Sequence, residues 1–245
     1  MRAMLFAAGL GTRLRPLTDS LPKCLVPVNG RPMIDYPLLL LRHYGIREIV
    51  VNVHHFADRV EAYLGDGSRM GVEIAYSREE TLLDTGGGLL GARRFLDGGA
   101  FVVINSDVLI DLRLDRVIRF HRERRAAATL VLRKDPAAEA YGAIWTDGRG
   151  IIRRFLDHNA PRKPPGALEQ YMFTGVHVLE PDIFRYMDGT GPFSITRSTY
   201  PAMLKGGEKL LGFRFCGEWQ DLGTPERLRA THVRLRDGAW KPHFL

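Results

Sequence analysis

The first half of the chain alternates short apolar runs with amphipathic stretches. Met1–Ala7 is an apolar run that ends in a glycine-rich turn, which is typical of a buried strand. Met33–Tyr44 has helical character and is stopped by Gly45, and the β-branched run Ile46–Val53 predicts the next strand. Helices of this length between strands predict right-handed crossovers and a mainly parallel sheet. The remaining predicted elements of this half are a helix at Ala57–Leu64, a strand at Val72–Tyr76, a helix at Gly88–Leu96, a strand at Phe101–Ile104, a helix at Leu114–Arg125 and a strand at Ala128–Leu132.

The second half changes to closely spaced strands and turns. Ala143–Thr146 and Ile151–Phe155 flank Asp147 and Gly148, a pattern that predicts a β-hairpin. The other predicted elements are strands at Tyr171–Leu179 and Leu210–Phe215 and helices that begin at Pro181 and Pro225. The sequence therefore predicts an α/β fold, in which a Rossmann-like, mainly parallel sheet with helices on both faces is joined by a small antiparallel lobe.

Composition places the chain among ordinary globular proteins. Of its 245 residues, 45% are apolar and 26% are charged, which excludes a disordered or fibrous chain. The longest aliphatic run, Leu38–Leu41, is too short to span a bilayer, and glycine and arginine interrupt the N-terminal apolar residues before a signal-peptide core could form. Cys24 and Cys216 are too few for a disulfide scaffold. We therefore expect a soluble cytoplasmic protein without a membrane partner.

The net charge is +7, because 35 Lys and Arg residues face 28 Asp and Glu residues, and the sequence pI is near 9.6. A basic surplus suits an anionic partner. The basic residues are spread along the chain, without a basic tail or a stripe of alternating aromatic and basic residues, so nucleic-acid binding is only a minor alternative. The surplus alone does not choose between phosphorylated metabolites, nucleic acid and an acidic membrane surface.

A glycine-rich loop follows the first predicted strand, over residues 7–18. Its small residues let backbone N–H groups approach an anion, and Arg13 and Arg15 add donors for phosphate oxygens. The loop is not a Walker loop, because that motif needs Gly-Lys-Ser or Gly-Lys-Thr, which is absent here. Gly9 and Gly11 also do not form a dinucleotide-binding fingerprint, because Leu14 stands where the third glycine would be. The loop is therefore either a phosphate site or a tight turn without a ligand.

Two further residues extend this candidate phosphate site. Lys23 follows the loop on a stiff segment between Pro22 and Pro27, where it can serve as a fixed point charge for a phosphate. Asp107 follows the predicted strand Phe101–Ile104, at the carboxyl edge where parallel sheets bind ligands.

With these motifs the chain resembles the sugar-phosphate nucleotidyltransferases, or NDP-sugar pyrophosphorylases. The resemblance covers nearly the whole chain in the family's order and is greatest to the short bacterial N-acetylmuramate-1-phosphate uridylyltransferases and mannose-1-phosphate guanylyltransferases. The matching motifs are Ala7 to Thr18, Pro22 with Lys23, Pro27, Leu83 to Gly88, Asn105 to Asp107, Phe173 to Gly175 and Trp219 to Thr224. It implies a GT-A-like nucleotidyltransferase fold without a β-helix domain, as one domain over 1–245. The expected parts are nucleotide-binding at 1–135, sugar-phosphate-binding at 136–225, and a C-terminal helix and tail at 226–245.

The reaction that the resemblance implies is transfer of a nucleotidyl group from an NTP to a sugar 1-phosphate, with release of pyrophosphate. In the implied roles, Arg13 holds the β- and γ-phosphates, and Lys23 lies between the α-phosphate and the sugar phosphate. Asp107 and Asp221 hold Mg²⁺, the expected cofactor, whose shell is completed by phosphate oxygens and water. Arg13, Lys23 and Asp107 are therefore the predicted catalytic residues of an in-line attack on the α-phosphorus.

The resemblance also implies two sets of binding residues. The nucleotide-binding set is Ala8, Gly9, Gly11, Thr12, Arg13, Lys23, Thr85, Gly86 and Gly87. The sugar-phosphate-binding set is Asn105, Gly142, Asp157, Thr174 and Gly175. The glycines at 86–88 have a second interpretation, because a helix N-terminus can need glycine for close packing alone.

Base and sugar specificity are where the sequence departs from the commonest family pattern. Many relatives carry Glu-Lys-Pro after the hairpin strand, whereas this chain has Asp157-His158-Asn159; His158, Arg162 and Lys163 are the candidates to replace the missing lysine. The short uridylyltransferases also lack that lysine, which favours UTP as donor. GTP with mannose 1-phosphate is the alternative.

Other functions and the assembly state complete the expectations. A glycosyltransferase that uses a finished NDP-sugar is the remote alternative, but such enzymes usually need an Asp-x-Asp motif, and Val108 and Leu109 follow Asp107. A regulator with a degenerate site would lack the arginine or the lysine, and both are present. The partners that the resemblance implies are the small-molecule substrates, an NTP and a sugar 1-phosphate, with no nucleic acid and no membrane. We expect a monomer or a homodimer.

Overall fold

The computed structural model describes residues 1–136, 138–162 and 166–245. Its elements follow the predicted order of strands and helices closely. The strands are β1 Arg2–Phe6, β2 Pro27–Val28, β3 Arg31–Pro32, β4 Glu48–Val53, β5 Glu73–Arg78, β6 Phe101–Asn105, β7 Val108–Ile110, β8 Ala128–Arg133, β9 Ile144–Thr146, β10 Ile152–Phe155, β11 His158–Asn159, β12 Glu169–Leu179, β13 Leu210–Arg214 and β14 Trp219–Asp221. The α-helices are α1 Asp35–His43, α2 Ala57–Leu64, α3 Asp84–Gly91, α4 Arg93–Leu96, α5 Leu114–Arg124, α6 Ala138–Tyr141, α7 Tyr200–Lys205 and α8 Pro225–Arg236.

These elements form two compact units, each built from separate segments of the chain. Unit 1 contains Met1–Leu82, Ile104–Leu112 and Gly217–Leu245, and unit 2 contains Leu83–Val103 and Arg113–Cys216. The strand β6 therefore begins in unit 2 and ends in unit 1. The functional parts expected at 1–135, 136–225 and 226–245 remain predictions.

Unit 1 contains a sheet in the order β6-β1-β4-β5. The strand β1 pairs in parallel with β4, which pairs in parallel with β5. Ala3, Met4 and Leu5 of β1 are fully buried, which explains why this strand is a continuous apolar run rather than an alternating one. The strands β7 and β14 form a separate antiparallel pair. The loops at the carboxyl ends of these strands carry most of the predicted chemistry.

Unit 2 is mainly antiparallel. The strand β12 pairs antiparallel with β8 and with β9, and β9 and β10 form the predicted hairpin. β11 extends this sheet beside β10, and β13 joins β8 in parallel. The α/β class, with a mainly parallel sheet and small antiparallel sheets, is confirmed.

The structure also corrects one predicted helix. The helix expected at Gly88–Leu96 begins at Asp84 and is divided at Ala92 into α3 and α4. Gly86, Gly87 and Gly88 are buried inside α3, so the glycines belong to the helix and not to a turn that precedes it. Within the described ranges, the strands form sheets and no solenoid, and none of the helices combines the length and apolar character needed to cross a membrane.

Candidate active site

The predicted phosphate loop leaves β1 at Phe6 and turns sharply at Gly11. Ala7 and Ala8 are buried, and Gly11 has a φ of 67°, in the left-handed region that favours glycine. A Cβ atom on Gly11 would lie 2.9 Å from Cβ of Lys23 and 2.9 Å from Cγ2 of Thr18. Glycine here therefore lets the chain turn, and it also lets the stem of Lys23 pack directly against the loop.

The Lys23 side chain forms an ion pair with Asp107, between Nζ and Oδ2. The two side chains are 16% and 18% exposed, so most of the pair is shielded from solvent. Lys23 begins a short 3₁₀ turn, Lys23–Leu25, directly after Pro22, and Asp107 lies between β6 and β7. The structure thus brings together two of the three predicted catalytic residues.

Asp221 lies beside Asp107 because β14 runs antiparallel to β7. Asp221 is opposite Val108 in the register, and the Leu222 N–H donates to the backbone oxygen of Asp107 at 2.9 Å. Burial raises the pKa of Asp221 above its ordinary value, and repulsion from Asp107 raises that pKa further. The Gly223 N–H, which donates to Asp221 Oδ1 at 2.5 Å, acts in the opposite direction, as do the charges of Lys23 and Arg13.

Arg13 completes this group of charges. A Cβ atom on Gly223 would lie 2.7 Å from Nη2 of Arg13 and 2.6 Å from Oδ1 of Asp221, so both groups occupy the space beside this glycine. Arg227, in the first turn of α8, holds the other carboxylate oxygen of Asp221 at 3.2 Å. Arg13, Lys23, Asp107 and Asp221 therefore lie together in unit 1, and their functional roles remain predictions. Arg227 joins them, although no sequence pattern singled it out.

A second polar network, also missed, lies directly behind the loop. The Ala7 N–H donates to Oδ1 of Asn52 at 2.9 Å, and Nδ2 of Asn52 donates to Oε1 of Glu79 at 2.7 Å. The ring of His54 is hydrogen-bonded through Nδ1 to the backbone oxygen of Glu79 at 2.9 Å. The signal for this network is a single asparagine inside the apolar strand β4, whose other inner positions are valine and isoleucine.

The predicted nucleotide-binding residues of unit 2 are engaged within that unit. The Gly86 and Gly87 N–H groups both donate to the backbone oxygen of Phe193, at 2.8 and 3.3 Å. Oγ1 of Thr85 accepts the Ile195 N–H at 3.0 Å. The Phe193 ring packs directly onto Gly86, where no Cβ would fit. This geometry directly supports the packing interpretation of the glycines, while their contact with a nucleobase stays a prediction.

The predicted sugar-phosphate-binding residues occupy several places. Asn105 ends β6 in unit 1. Thr174 is buried in β12 of unit 2, where its hydroxyl donates to the backbone oxygen of Val131 at 2.8 Å. Gly175 has a φ of 84° at an irregularity in the β12–β8 register.

The remaining sugar-side candidates lie around the β10–β11 turn of unit 2. Gly142 packs against Leu156, and Asp157 is 97% exposed. Of the candidates to replace the family lysine, His158 is half-buried and Arg162 exposed, and Lys163 lies outside the described residues.

Comparison with known proteins gives a family and several relatives. The model of the family described as nucleotidyl transferase matches residues 2–238. A UTP–glucose-1-phosphate uridylyltransferase from Synechocystis is 34% identical over 238 residues, which cover 91% of this chain and 60% of that protein. A mannose-1-phosphate guanylyltransferase from Mycobacterium tuberculosis is 33% identical over 225 residues, which cover 91% of this chain and 61% of that protein. The chain thus spans about 60% of the length of these relatives.

Solved structures resemble the whole chain. A protein from Bacillus anthracis, described as a glucose-1-phosphate thymidylyltransferase and bound to sucrose, aligns with a TM-score of 0.81 at 23% identity, covering 100% of this chain and 98% of its own. HddC from Yersinia pseudotuberculosis, complexed with GMP-PN, aligns with a TM-score of 0.76 at 20% identity, covering 96% and 99%. At these identities the likeness establishes the fold, and it agrees with the fold predicted from the sequence.

Proposed function

Because the chain belongs to the nucleotidyl transferase family, we propose that it transfers a nucleotidyl group from an NTP to a sugar 1-phosphate and releases pyrophosphate. The observation that carries this proposal is the cluster of Arg13, Lys23, Asp107 and Asp221 at the carboxyl ends of the unit 1 strands. Two cations and two carboxylates in one partly buried site suit a reaction between polyanions that needs a counter-ion.

The reaction requires mainly positive charge and correct positioning from these residues. The attacking sugar-phosphate oxygen is already anionic at neutral pH, so the site needs no strong general base. The Arg13 guanidinium, with its planar fork of donors, holds the β- and γ-phosphates and the departing pyrophosphate. The Lys23 ammonium has three N–H donors, so it can keep Asp107 and also donate to oxygens of the α-phosphate and the sugar phosphate. Its charge stabilises the transition state more than the bound substrates, because in the transition state negative charge is spread over the α-phosphate and the sugar phosphate.

Asp107 and Asp221 are the residues that would hold Mg²⁺. Burial raises the pKa of Asp221, and repulsion from Asp107 raises it further, because the two carboxylates lie close together. In the part of the chain that the structure describes, no cluster of three or more His, Cys, Asp or Glu residues could hold a metal. A pair of carboxylates fits Mg²⁺, which takes few protein ligands and fills its shell with phosphate oxygens and water. When bound, the ion supplies positive charge next to the phosphates.

Specificity for UTP is the finer part of the proposal. The chain lacks the family lysine after the hairpin strand, as the short uridylyltransferases do, and one of the relatives is a UTP–glucose-1-phosphate uridylyltransferase. The alternative is GTP with mannose 1-phosphate, which has the support of the guanylyltransferase relative from Mycobacterium tuberculosis. The proposal includes contact of Thr85, Gly86 and Gly87 with the base and of the sugar-phosphate-binding set with the second substrate. It also places the reaction in the cytoplasm and the protein in a monomer or a homodimer.

The test is a matrix of pyrophosphate-release assays with Mg²⁺. Each of UTP, GTP, ATP, CTP and dTTP is paired with glucose, mannose, N-acetylglucosamine and N-acetylmuramate 1-phosphates. We expect UTP to be preferred, with discrimination on the order of 10⁴ where hydrogen bonds of the wrong base stay unpaired. A preference for GTP with mannose 1-phosphate would overturn the base assignment and leave the reaction class intact. Absence of turnover with every pair would refute the reaction class.

A further inference from the structure

The buried pair Asn52 and Glu79 has no part in the roles assigned so far. Asn52 is 3% exposed and Glu79 7% exposed, at the carboxyl ends of adjacent parallel strands. Burying an amide and a carboxyl group is costly unless both are hydrogen-bonded. Polar residues at these positions therefore need a reason, and their contacts lead to the phosphate loop.

Asn52 connects the pair to the first residue of that loop. Phe6 and Asn52 are opposite each other in the β1–β4 register, and Ala7 is the residue at which the chain leaves β1. The Ala7 N–H donates to Oδ1 of Asn52, while Nδ2 of Asn52 donates to Oε1 of Glu79. A backbone N–H can only donate and a carboxylate can only accept, so these partners fix the orientation of the Asn52 amide.

Glu79 is itself held from both sides of its backbone. Its N–H donates to the backbone oxygen of Val53 at 2.9 Å, and its own backbone oxygen is hydrogen-bonded to Nδ1 of His54 at 2.9 Å. These two hydrogen bonds fix the Glu79 backbone, so its carboxylate can hold the Asn52 amide in place. A chain of hydrogen bonds thus runs from Glu79 through Asn52 to Ala7, and it fixes the first loop residue relative to the sheet.

We infer that Asn52 is a positioning residue for the phosphate loop, with Glu79 as its anchor. It fixes the direction in which the chain leaves β1, so that the N–H groups of the loop are set for an anion before one binds. Such preorganisation improves affinity because less order has to be created on binding. The inference rests on the proposed function for the nature of the ligand, the phosphates of an NTP.

A reciprocal exchange of the two side chains tests this inference. Asn52→Asp keeps an acceptor for the Ala7 N–H but replaces the donor to Glu79 with a second carboxylate oxygen, where an amide and a carboxylate now lie 2.7 Å apart. The two carboxylates repel each other, so residue 52 loses its anchor and no longer fixes the Ala7 N–H. The double variant Asn52→Asp with Glu79→Gln restores a donor and an acceptor in reversed order and keeps the net charge of the original pair. Asn29→Asp, at an exposed turn, is the control for the same substitution elsewhere.

The readout is the affinity for inorganic pyrophosphate with Mg²⁺, measured by calorimetry at a temperature where circular dichroism shows each variant folded. Asn52→Asp should weaken binding about tenfold, and the double variant should recover to within about threefold of the parent. In turnover assays the KM for the NTP should rise while the KM for the sugar phosphate stays unchanged, a split that a merely structural role would not produce.

Three outcomes decide the inference. Recovery of affinity in the double variant supports it. Parent-like affinity in Asn52→Asp, or a folded double variant that binds as weakly as the single one, overturns it. If Asn52→Asp does not fold, the uncharged Asn52→Ser takes its place with the same expectation, and parent-like affinity again overturns the inference. A parent protein without turnover for any substrate pair refutes the proposed function separately, while the pyrophosphate affinities still decide the role of Asn52.

Discussion

Replacing Lys23 with alanine should have opposite effects on turnover and on Mg²⁺ binding. The Lys23 ammonium neutralises Asp107, which in turn repels Asp221. Without it, the two carboxylates face each other with less compensation, and the NTP and sugar phosphate lose the charge between them. We therefore expect the turnover rate to fall sharply. In the absence of nucleotide, the affinity for Mg²⁺ should rise, because the ion no longer competes with the lysine for Asp107.

The structure sets the size of each effect. Loss of one electrostatic contact to a transition state commonly lowers the rate by about 10²–10³. For stability, an exposed ion pair contributes up to about 1 kcal/mol, whereas breaking a fully buried one costs about 3–5 kcal/mol. Because Lys23 and Asp107 are 16% and 18% exposed, we expect a loss between these limits, about 1–3 kcal/mol. At roughly 2–4 °C per kcal/mol for a chain of this size, the Tm should fall by about 2–12 °C.

The assay is a thermal unfolding series with increasing Mg²⁺, run beside pyrophosphate-release kinetics. Mg²⁺ should raise the Tm of Lys23→Ala more than that of the parent, because binding to the folded state alone stabilises it. Lys205→Ala, at the exposed end of α7, is the matched control and should leave both measurements unchanged. Near-normal turnover, or a smaller Mg²⁺ effect in Lys23→Ala than in the parent, would refute the reasoning.

Three further predictions follow from the same site and from unit 2. Asp107→Asn should abolish Mg²⁺-dependent turnover while NTP binding by calorimetry weakens less; an unchanged dependence of rate on Mg²⁺ would assign the metal to another carboxylate. Gly86→Ala should lower the free energy of unfolding in urea by about 1–3 kcal/mol, because its Cβ would lie 2.8 Å from the Phe193 oxygen and closer to the ring, whereas Gly148→Ala meets no atom within 4 Å and should be neutral. In metal-free protein, the stability associated with Asp221 is present below its ordinary pKa of 3.8 and is lost as the pH rises through its raised folded pKa. Asp221→Asn should therefore flatten the fall in stability above pH 3.8 and abolish turnover, and an unchanged pH profile would contradict the raised pKa that burial and repulsion from Asp107 give Asp221.

Local signals allowed much of the fold to be predicted from the sequence. The run Met1–Ala7 predicted β1 because a strand buried on both faces is continuously apolar, and Pro225 marked the start of α8 because proline is favoured in the first helical turn. The start of α3 was predicted too late, because three consecutive glycines usually indicate a turn rather than a helix. Here the N–H groups of the first two donate to Phe193, a distant partner that no local pattern indicates.

The candidate site divides in the same way. Lys23 and the phosphate loop could be identified from residue type and spacing, and Asp221 only from the family resemblance. The Lys23–Asp107 ion pair joins residues 84 positions apart, and Asn52 and Glu79 are 27 positions apart. Pairings of this kind depend on strand register, which brings together chain segments that carry no local sign of each other.

The division of unit 1 among three chain segments has a consequence for biosynthesis. Lys23 and the phosphate loop leave the ribosome in the first segment, Asp107 in the second and Asp221 in the last, Gly217–Leu245. All of Arg113–Cys216 is translated in between, which takes several seconds at about 5–20 residues per second. During that interval the nascent chain has its loop and its lysine but lacks one carboxylate and the strand β14 that positions it. Asp107 and Asp221 can therefore come together only after Arg113–Cys216 has been translated, and a chain that stalls before Gly217 lacks the second carboxylate of the pair.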